Sequence, residues 1–130
     1  IFFNMFFYNK KFSLGHAAMN INEDMPKFIY NDLKKNVNLK NKTIGLLGLT
    51  FKADCDDIRD SLAIKLLKFL KNKKIKTLYS DEYYFLKGSI TKKKLIEKSD
   101  IIIISTPHSA YKKIKVSKKK LIIDIWGHTN

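Results

Sequence analysis

The sequence is poor in the residues that form disulfides, metal sites and irregular loops. It has one cysteine, two prolines and five glycines among 130 residues. A single cysteine excludes an internal disulfide, and Cys55 has no metal-ligand spacing with any of the three histidines. We therefore expect a chain without a metal site.

The sequence also lacks a hydrophobic run long enough to span a membrane. The aromatic segment at residues 1–12 is interrupted by Asn4 and Asn9, and it is shorter than the roughly 20 apolar residues that a span needs. The basic pair 10–11 follows the apolar residues, whereas in a signal peptide the basic residues come first. We expect a cytoplasmic protein with no membrane partner. Because the chain begins with Ile1, we also expect it to be a piece of a longer protein.

Positive charge comes almost entirely from lysine. The 26 basic and 12 acidic residues give a net charge of +14, which suits partners that carry phosphate. The lysines fall on the outer face of a predicted helix and beside predicted loops, and no aromatic motif or recognition helix accompanies them. We therefore expect no nucleic-acid partner. A content of 45% hydrophobic residues indicates one folded domain with an appendage.

The first part of the chain has the apolar spacing of a helix. Between Leu14 and about Lys35, apolar residues recur near the helical period at Ala18, Ile21, Met25, Ile29 and Leu33. Pro26 interrupts this stripe and predicts either a kink or a fresh start with Asp24 as the cap.

After the helix, short apolar runs alternate with amphipathic segments. We predict strands over 43–49, 76–80, 100–105 and 121–125, and helices over 61–70 and 92–98. Unbroken aliphatic runs are typical of parallel strands that helices cover on both faces. The fold class is therefore α/β, with a doubly wound, mostly parallel, Rossmann-like sheet after a long helix. We expect consecutive strands to lie side by side and ligands to bind at their carboxyl ends.

The only arginine, Arg59, lies in an acid-rich loop between the first strand and the following helix. A guanidinium suits a bidentate partner such as phosphate or carboxylate, and the helix amino end at 60–61 favours an anion. The alternative is a salt bridge of Arg59 to Asp56 or Asp57 that only shapes the loop.

Phe51 and Lys52 stand where the first strand ends. There an ammonium meets a ligand phosphate or sugar oxygen, and an aromatic ring flanks it. The alternative is that Phe51 belongs to the core and Lys52 pairs with Asp54. Gly45 and Gly48 give only half of a dinucleotide fingerprint, because the helix begins well after the second glycine.

Other candidate residues have a structural alternative that is at least as well supported. Cys55 has three aspartates around it, which disfavour the thiolate of a nucleophile. His108 follows the third aliphatic strand in a turn that we expect at the surface, where it touches a ligand or is only hydrogen-bonded. Asp81 accepts ribose hydroxyls or ends its strand in a turn. Asp124 and Trp126 are interpreted as packing and turn residues.

The segment Ile44–Ser61 resembles the strand, the Phe-Lys turn and the Asp-Asp-x-Arg-x-Ser motif of the UDP-glucose and GDP-mannose dehydrogenases. These NAD-dependent enzymes oxidise the C6 alcohol of a nucleotide sugar to a carboxylate. The segment 21–26 resembles the late part of their central helix. The segments 106–111 and 124–127 resemble members that act on UDP-N-acetylhexosamines. The loop departs from the usual pattern at Asp60, Leu62 and Cys55 but keeps its charged groups.

The resemblance implies roles for three residues. Phe51 and Lys52 would contact the nucleotide sugar, and Arg59 would reach the pyrophosphate of NAD, which an amino-terminal domain mainly holds. The family's catalytic cysteine has no counterpart in this sequence, so no catalytic residue is assigned. That thiol traps the aldehyde intermediate covalently before the second hydride leaves.

The resemblance also implies a division of the chain. Residues 1–12 are an ill-defined aromatic-rich remnant, 13–38 a helix from the central interdomain and dimerisation region, and 39–130 the C-terminal nucleotide-sugar-binding domain. We expect the UDP-sugar-binding part of a homodimeric, NAD-dependent 6-dehydrogenase of polysaccharide biosynthesis, inactive as a fragment. The alternative is a stand-alone nucleotide-binding or phosphate-binding module without catalysis.

Overall fold

A long helix precedes a four-stranded parallel sheet in the computed structural model, which describes residues 13–128. The helices are α1 (Ser13–Asn36), α2 (Leu62–Asn72) and α3 (Lys92–Lys98), with a 3-10 turn at Ser109–Tyr111. The strands are β1 (Ile44–Leu47), β2 (Thr77–Ser80), β3 (Ile101–Ile104) and β4 (Leu121–Asp124). The predicted α/β class and its parallel sheet are confirmed. The remnant expected at residues 1–12 lies outside the described residues.

The strand order is β2-β1-β3-β4, with β1 between two parallel neighbours. Ile44 is in register with Thr77 on one side and with Ile101 on the other. The expectation that consecutive strands are neighbours therefore holds for β1–β2 and β3–β4 but is wrong for β2 and β3. The chain reverses its direction of winding across β1, and this creates a crevice at the carboxyl ends of β1 and β3.

The core covers both faces of the two central strands, and every residue of β1 and β3 is buried. On one face, Leu66 and Leu70 of α2 pack against the sheet together with Leu33 of α1. On the other face, Leu95 of α3 and Tyr111 of the 3-10 turn fill the space. The aliphatic runs lack polar alternation because helices or turns exclude water from both faces.

Helix α1 runs without a break through Pro26, so the predicted fresh start at Asp24 is wrong. Pro26 and Leu33 are buried, and α1 packs on α2 through this part of its apolar stripe. The earlier stripe residue Ile21 is 67% exposed. Within the described residues, no helix combines the length and apolar character needed to cross a membrane.

Lys120 closes the carboxyl end of α3. Its Nζ donates hydrogen bonds to the carbonyl oxygens of Ile96 at 2.6 Å, Glu97 at 2.7 Å and Ser99 at 2.8 Å. The last turn of a helix leaves such carbonyls without partners, and a cation there also complements the helix dipole. Lys120 therefore anchors the segment before β4 to α3.

We expect Lys120→Met to lower the free energy of unfolding by about 1.5–3 kcal/mol, the usual range for hydrogen bonds that involve a charged group. Urea denaturation measures the loss. Lys119→Met is the matched control, because Lys119 is exposed and its ammonium makes no hydrogen bond among residues 13–128. Equal losses in the two variants would show that the three carbonyl contacts contribute nothing.

Candidate functional site

The loop that follows β1 is tied together by Ser61 at its far end. Ser61 is 1% exposed, and its hydroxyl donates to the carbonyl oxygen of Leu49 at 2.6 Å. The Ser61 hydroxyl oxygen also accepts a hydrogen bond from the Ile64 N–H at 3.3 Å and so caps α2. Midway, the Phe51 N–H donates to the carbonyl oxygen of Asp57 at 2.6 Å. The loop is therefore a closed unit at the carboxyl edge of the sheet.

The ends of β1 and β3 are in direct contact at the crevice. Gly48 has φ of +89°, and the position of a Cβ there is occupied by Thr106. The Thr106 hydroxyl donates to the carbonyl oxygen of Thr50 at 2.8 Å, and the Ser105 hydroxyl donates to that of Gly48 at 2.7 Å. These contacts hold the loop after β1 against the turn after β3.

His108 fills the crevice. Its side chain is 0% exposed, and its ring centroid lies 5.0 Å from that of Tyr83 and 5.3 Å from that of Tyr111. The expectation of a histidine in a surface turn is therefore wrong. The segment after β3 turns inward because Tyr111, which is also fully buried, packs against the sheet below it.

The two ring nitrogens of His108 have different partners. The Asp54 N–H donates to Nδ1 at 2.9 Å, so Nδ1 is the nitrogen without a proton. Nε2 therefore carries the proton and donates it to Oδ2 of Asp81 at 3.0 Å, with the Thr50 hydroxyl oxygen at 3.3 Å. These contacts fix both the tautomer and the orientation of the imidazole.

The Asp81 side chain is fully buried, and both of its carboxylate oxygens accept hydrogen bonds. Its Oδ2 also accepts the Leu49 N–H at 2.5 Å, and its Oδ1 accepts the N–H groups of Tyr83 at 2.7 Å and Tyr84 at 3.0 Å. Burial raises the pKa of Asp81, but the hydrogen bonds from His108 and the backbone outweigh it and leave the pKa below the usual value. Asp81 is an organising residue here and has no oxygen free for a ribose hydroxyl.

Asp54 is bound to the turn after β3. Its Oδ1 accepts the Ser109 N–H at 3.0 Å and the Tyr83 hydroxyl at 3.1 Å, while Oδ2 accepts the Ser109 hydroxyl at 2.5 Å. The bonds from Ser109 lower the pKa of Asp54. Asp54 has φ of +53°, a left-handed conformation that these contacts hold. It is not the partner of Lys52 that one sequence interpretation required.

Phe51 and Lys52 stand on the solvent side of this framework. Phe51 is 58% exposed, so it is not a core residue. Lys52 is exposed, and its ammonium makes no hydrogen bond or ion pair within residues 13–128. The Lys52 carbonyl oxygen, in contrast, accepts the Thr50 hydroxyl at 3.0 Å and the Cys55 thiol at 3.2 Å. The backbone of the pair is thus fixed while both side chains remain open.

Arg59 pairs with Asp57 at the surface. Its Nε donates to Oδ1 at 3.0 Å and its Nη2 to Oδ2 at 2.7 Å, while the arginine side chain is 87% exposed. The hydrogen bonds from Arg59 lower the pKa of Asp57 to about 2. The salt bridge to Asp57 that the sequence offered as an alternative is therefore present. Exposed pairs of this kind contribute little net energy, so an anionic ligand competes with Asp57 at small cost.

An open cleft of about 440 Å³ lies beyond β2 and is separate from the exposed pair Phe51–Lys52. Its lining includes Tyr83, Tyr84, Phe85 and Lys92. Phe51 and Lys52 do not line it and lie on open surface. Among the described residues, no group of three histidine, cysteine, aspartate or glutamate side chains is arranged to hold a metal ion.

Sequence reasoning identified His108 and Asp81 separately and missed the contact between them. It also missed Ser109 and Tyr83, whose hydroxyls hold Asp54. Spacing gives no signal for this network, because His108 is 27 positions from Asp81 and 54 from Asp54. The available signal is topological: Asp54, Asp81 and His108 follow the carboxyl ends of β1, β2 and β3, which are neighbours in the sheet.

Comparison with known proteins gives the chain's relatives. Residues 45–130 match the UDP binding domain of the UDP-glucose/GDP-mannose dehydrogenase family. The UDP-N-acetyl-D-mannosamine dehydrogenase of Pyrococcus horikoshii is 32% identical over 124 residues, which cover 87% of this chain and 29% of that protein. The UDP-glucose 6-dehydrogenase of Rickettsia bellii is 29% identical, with coverages of 84% and 30%.

Solved structures agree with the sequence relatives. The structure of UDP-D-ManNAc dehydrogenase from Pyrococcus horikoshii matches 95% of this chain and 32% of its own, with a TM-score of 0.80 and 29% identity. A UDP-glucose dehydrogenase from Pyrobaculum islandicum, at 21% identity and a TM-score of 0.78, supports the fold alone. The chain spans 29–32% of the length of these relatives. By its match over residues 45–130, the chain belongs to the UDP-glucose/GDP-mannose dehydrogenase family and carries that family's UDP binding domain.

Proposed function

We propose that this chain is the UDP-sugar-binding part of an NAD-dependent nucleotide-sugar 6-dehydrogenase. One observation carries the proposal: the exposed ring of Phe51 and the exposed ammonium of Lys52 stand together on a turn whose backbone is fixed. The match to a UDP binding domain supports a UDP-sugar as the ligand. Relatives named UDP-N-acetyl-D-mannosamine dehydrogenase support a UDP-N-acetylhexosamine as the physiological sugar.

The proposed roles follow from the chemistry of the two side chains. A phosphate oxygen reaches the ammonium of Lys52 without displacing a carboxylate, since this group makes no ion pair within residues 13–128. The neighbouring aromatic face of Phe51 supplies apolar contact for the sugar or base. Both residues follow β1, beside the crevice where sheets of this kind bind ligands. The net charge of +14 also attracts a diphosphate.

The described residues do not by themselves form a dinucleotide site. The crevice between β1 and β3, where a pyrophosphate lies in related folds, is filled by the buried side chains of His108 and Thr50. We therefore place NAD, which takes the hydride from the sugar alcohol, mainly on residues outside this chain. In this proposal Arg59 contacts the pyrophosphate from the rim and exchanges Asp57 for phosphate.

We assign no catalytic residue to this chain. Oxidation of an alcohol to a carboxylate removes two hydrides, and in the family that the sequence resembles a cysteine holds the intermediate. Cys55 donates its thiol hydrogen to the Lys52 carbonyl oxygen and lies among carboxylates, so it is not proposed for that role. Activity is proposed only for the chain joined to the dinucleotide domain and its cysteine, in a cytoplasmic homodimer that makes uronates for polysaccharide biosynthesis.

We expect Lys52→Met to weaken binding of UDP-glucose by about tenfold, the effect of losing one charge-assisted hydrogen bond to phosphate. Isothermal titration of the 130-residue chain measures the affinity. The affinity of Arg59→Ala for UDP-glucose is expected to stay within about twofold of the wild-type value, because in this proposal Arg59 contacts NAD and not the UDP-sugar. Titration with UDP-N-acetylmannosamine tests the preference for the sugar.

Lys68→Met is the matched control for the loss of one positive charge, since Lys68 lies exposed on α2. A titration in which Lys52→Met and Lys68→Met have the same small effect would remove Lys52 from the site. The absence of saturable binding by the wild-type chain would reject the proposed function. Sustained formation of NADH by this chain alone would reject the need for a second domain.

A further inference from the structure

We propose that His108 is a positioning residue for the UDP site. Its Nδ1 holds the amide of Asp54 and thereby fixes the turn that presents Phe51 and Lys52. The inference rests on the proposed function, in which those two side chains contact the UDP-sugar. His108 itself touches no ligand in this scheme and acts only through the backbone of the turn.

The turn from Thr50 to Cys55 is folded around the imidazole and meets it on both sides. On one side, Nδ1 accepts the Asp54 N–H at 2.9 Å. On the other side, Nε2 lies 3.3 Å from the Thr50 hydroxyl oxygen, and that hydroxyl donates to the Lys52 carbonyl oxygen at 3.0 Å. Thr50, on one side of Phe51–Lys52, and Asp54, on the other, therefore both contact the same buried ring.

The ring is itself immobile, which a positioning residue requires. It is 0% exposed, Asp81 binds Nε2 at 3.0 Å, and the rings of Tyr83 and Tyr111 pack against it. The turn depends on this support because Asp54 has φ of +53°, a conformation that residues with a side chain seldom adopt. Without the acceptor at Nδ1, the Asp54 amide would be a part-buried donor with no partner in this arrangement.

Two substitutions separate the two nitrogens of the ring. His108→Asn keeps an acceptor near the Nδ1 position and loses the reach to Asp81, whereas His108→Gln reaches toward Asp81 and leaves the Asp54 amide without an acceptor. We expect His108→Gln to weaken UDP-glucose binding by about three- to tenfold and His108→Asn to remain within about twofold of wild type. Affinity is measured by titration, and the stability of each variant by urea denaturation.

Each outcome decides the proposal. Equal affinities in the two variants, or losses of affinity that follow the losses of stability, would overturn it. If neither variant folds, the scalar coupling across the hydrogen bond from the Asp54 N–H to Nδ1 of His108 decides in the wild type, and its absence contradicts the inference. If the wild type binds no UDP-glucose, the proposed function fails, and the same coupling still shows whether His108 holds the Asp54 amide.

Discussion

Replacement of Asp81 by alanine is expected to lower the free energy of unfolding by about 3–5 kcal/mol, because several donors lose one charged acceptor and each buried donor left unpaired costs about 1–3 kcal/mol. The Asp81 side chain is 0% exposed and accepts the Nε2–H of His108. It also accepts the backbone N–H groups of Leu49, Tyr83 and Tyr84. Alanine removes the acceptor of all four donors, of which the His108 Nε2–H is buried and the N–H groups of Leu49 and Tyr84 are part-buried. Urea denaturation at neutral pH measures the loss.

Asp56→Ala is the matched control. Asp56 lies exposed in the loop after β1, and its carboxylate makes no hydrogen bond or ion pair within the part of the chain that the structure describes. We expect this variant to stay within about 0.5 kcal/mol of wild type. A loss below about 1 kcal/mol for Asp81→Ala would mean that the four donors find water and that the crevice is less closed than described.

The acid sensitivity of the wild type and of Asp81→Ala tests the same contact. Burial raises the pKa of Asp81, but the bonds from His108, Leu49 and Tyr83 outweigh it, and the folded pKa lies below the unfolded value. A lowered folded pKa gives stability that is complete above the unfolded pKa and is lost as the pH falls through the folded pKa. Stability should therefore decline below about pH 4, and the decline should be smaller in Asp81→Ala.

The fold was predictable wherever one local pattern decided it. The aliphatic runs of β1 and β3 have no polar alternation because helices cover both faces, so they predicted parallel strands correctly. The order β2-β1-β3 was not predictable, because a crossover can place the next strand on either side of β1. Continuity of α1 through Pro26 also depends on tertiary contact, since that proline is buried beside α2.

The candidate site was predictable to the level of its location. Phe51, Lys52 and Arg59 follow the end of a strand, and chain order alone places them at the carboxyl edge of the sheet. The burial of His108 was not predictable from its neighbours in the sequence, which are typical of a surface turn. It arises from partners 27 to 58 positions away, Asp81 and Thr50, which meet only when β2 and β3 flank β1.

The second large effect is expected at Gly48, where alanine should lower the free energy of unfolding by about 2–5 kcal/mol. Gly48 has φ of +89°, which costs a residue with a side chain about 1–2 kcal/mol. The added Cβ would also lie 2.5 Å from Cβ and 2.7 Å from N of Thr106. Backbone cannot yield as a flexible side chain does, and overpacking of this kind costs about 1–3 kcal/mol more. Thermal or urea denaturation measures the loss.

Gly127→Ala separates the two parts of that cost. Gly127 has φ of +62°, but no described atom lies within 4 Å of the position of its Cβ. Alanine at this position therefore has only the cost of the left-handed conformation, and we expect the free energy of unfolding to fall by about 1 kcal/mol. The difference between the variants measures how closely the ends of β1 and β3 approach. Because that approach also places Thr50 against Thr106 and His108, Gly48→Ala should disturb the turn that carries Lys52, whereas equal losses in the two variants would show that the crevice opens without cost.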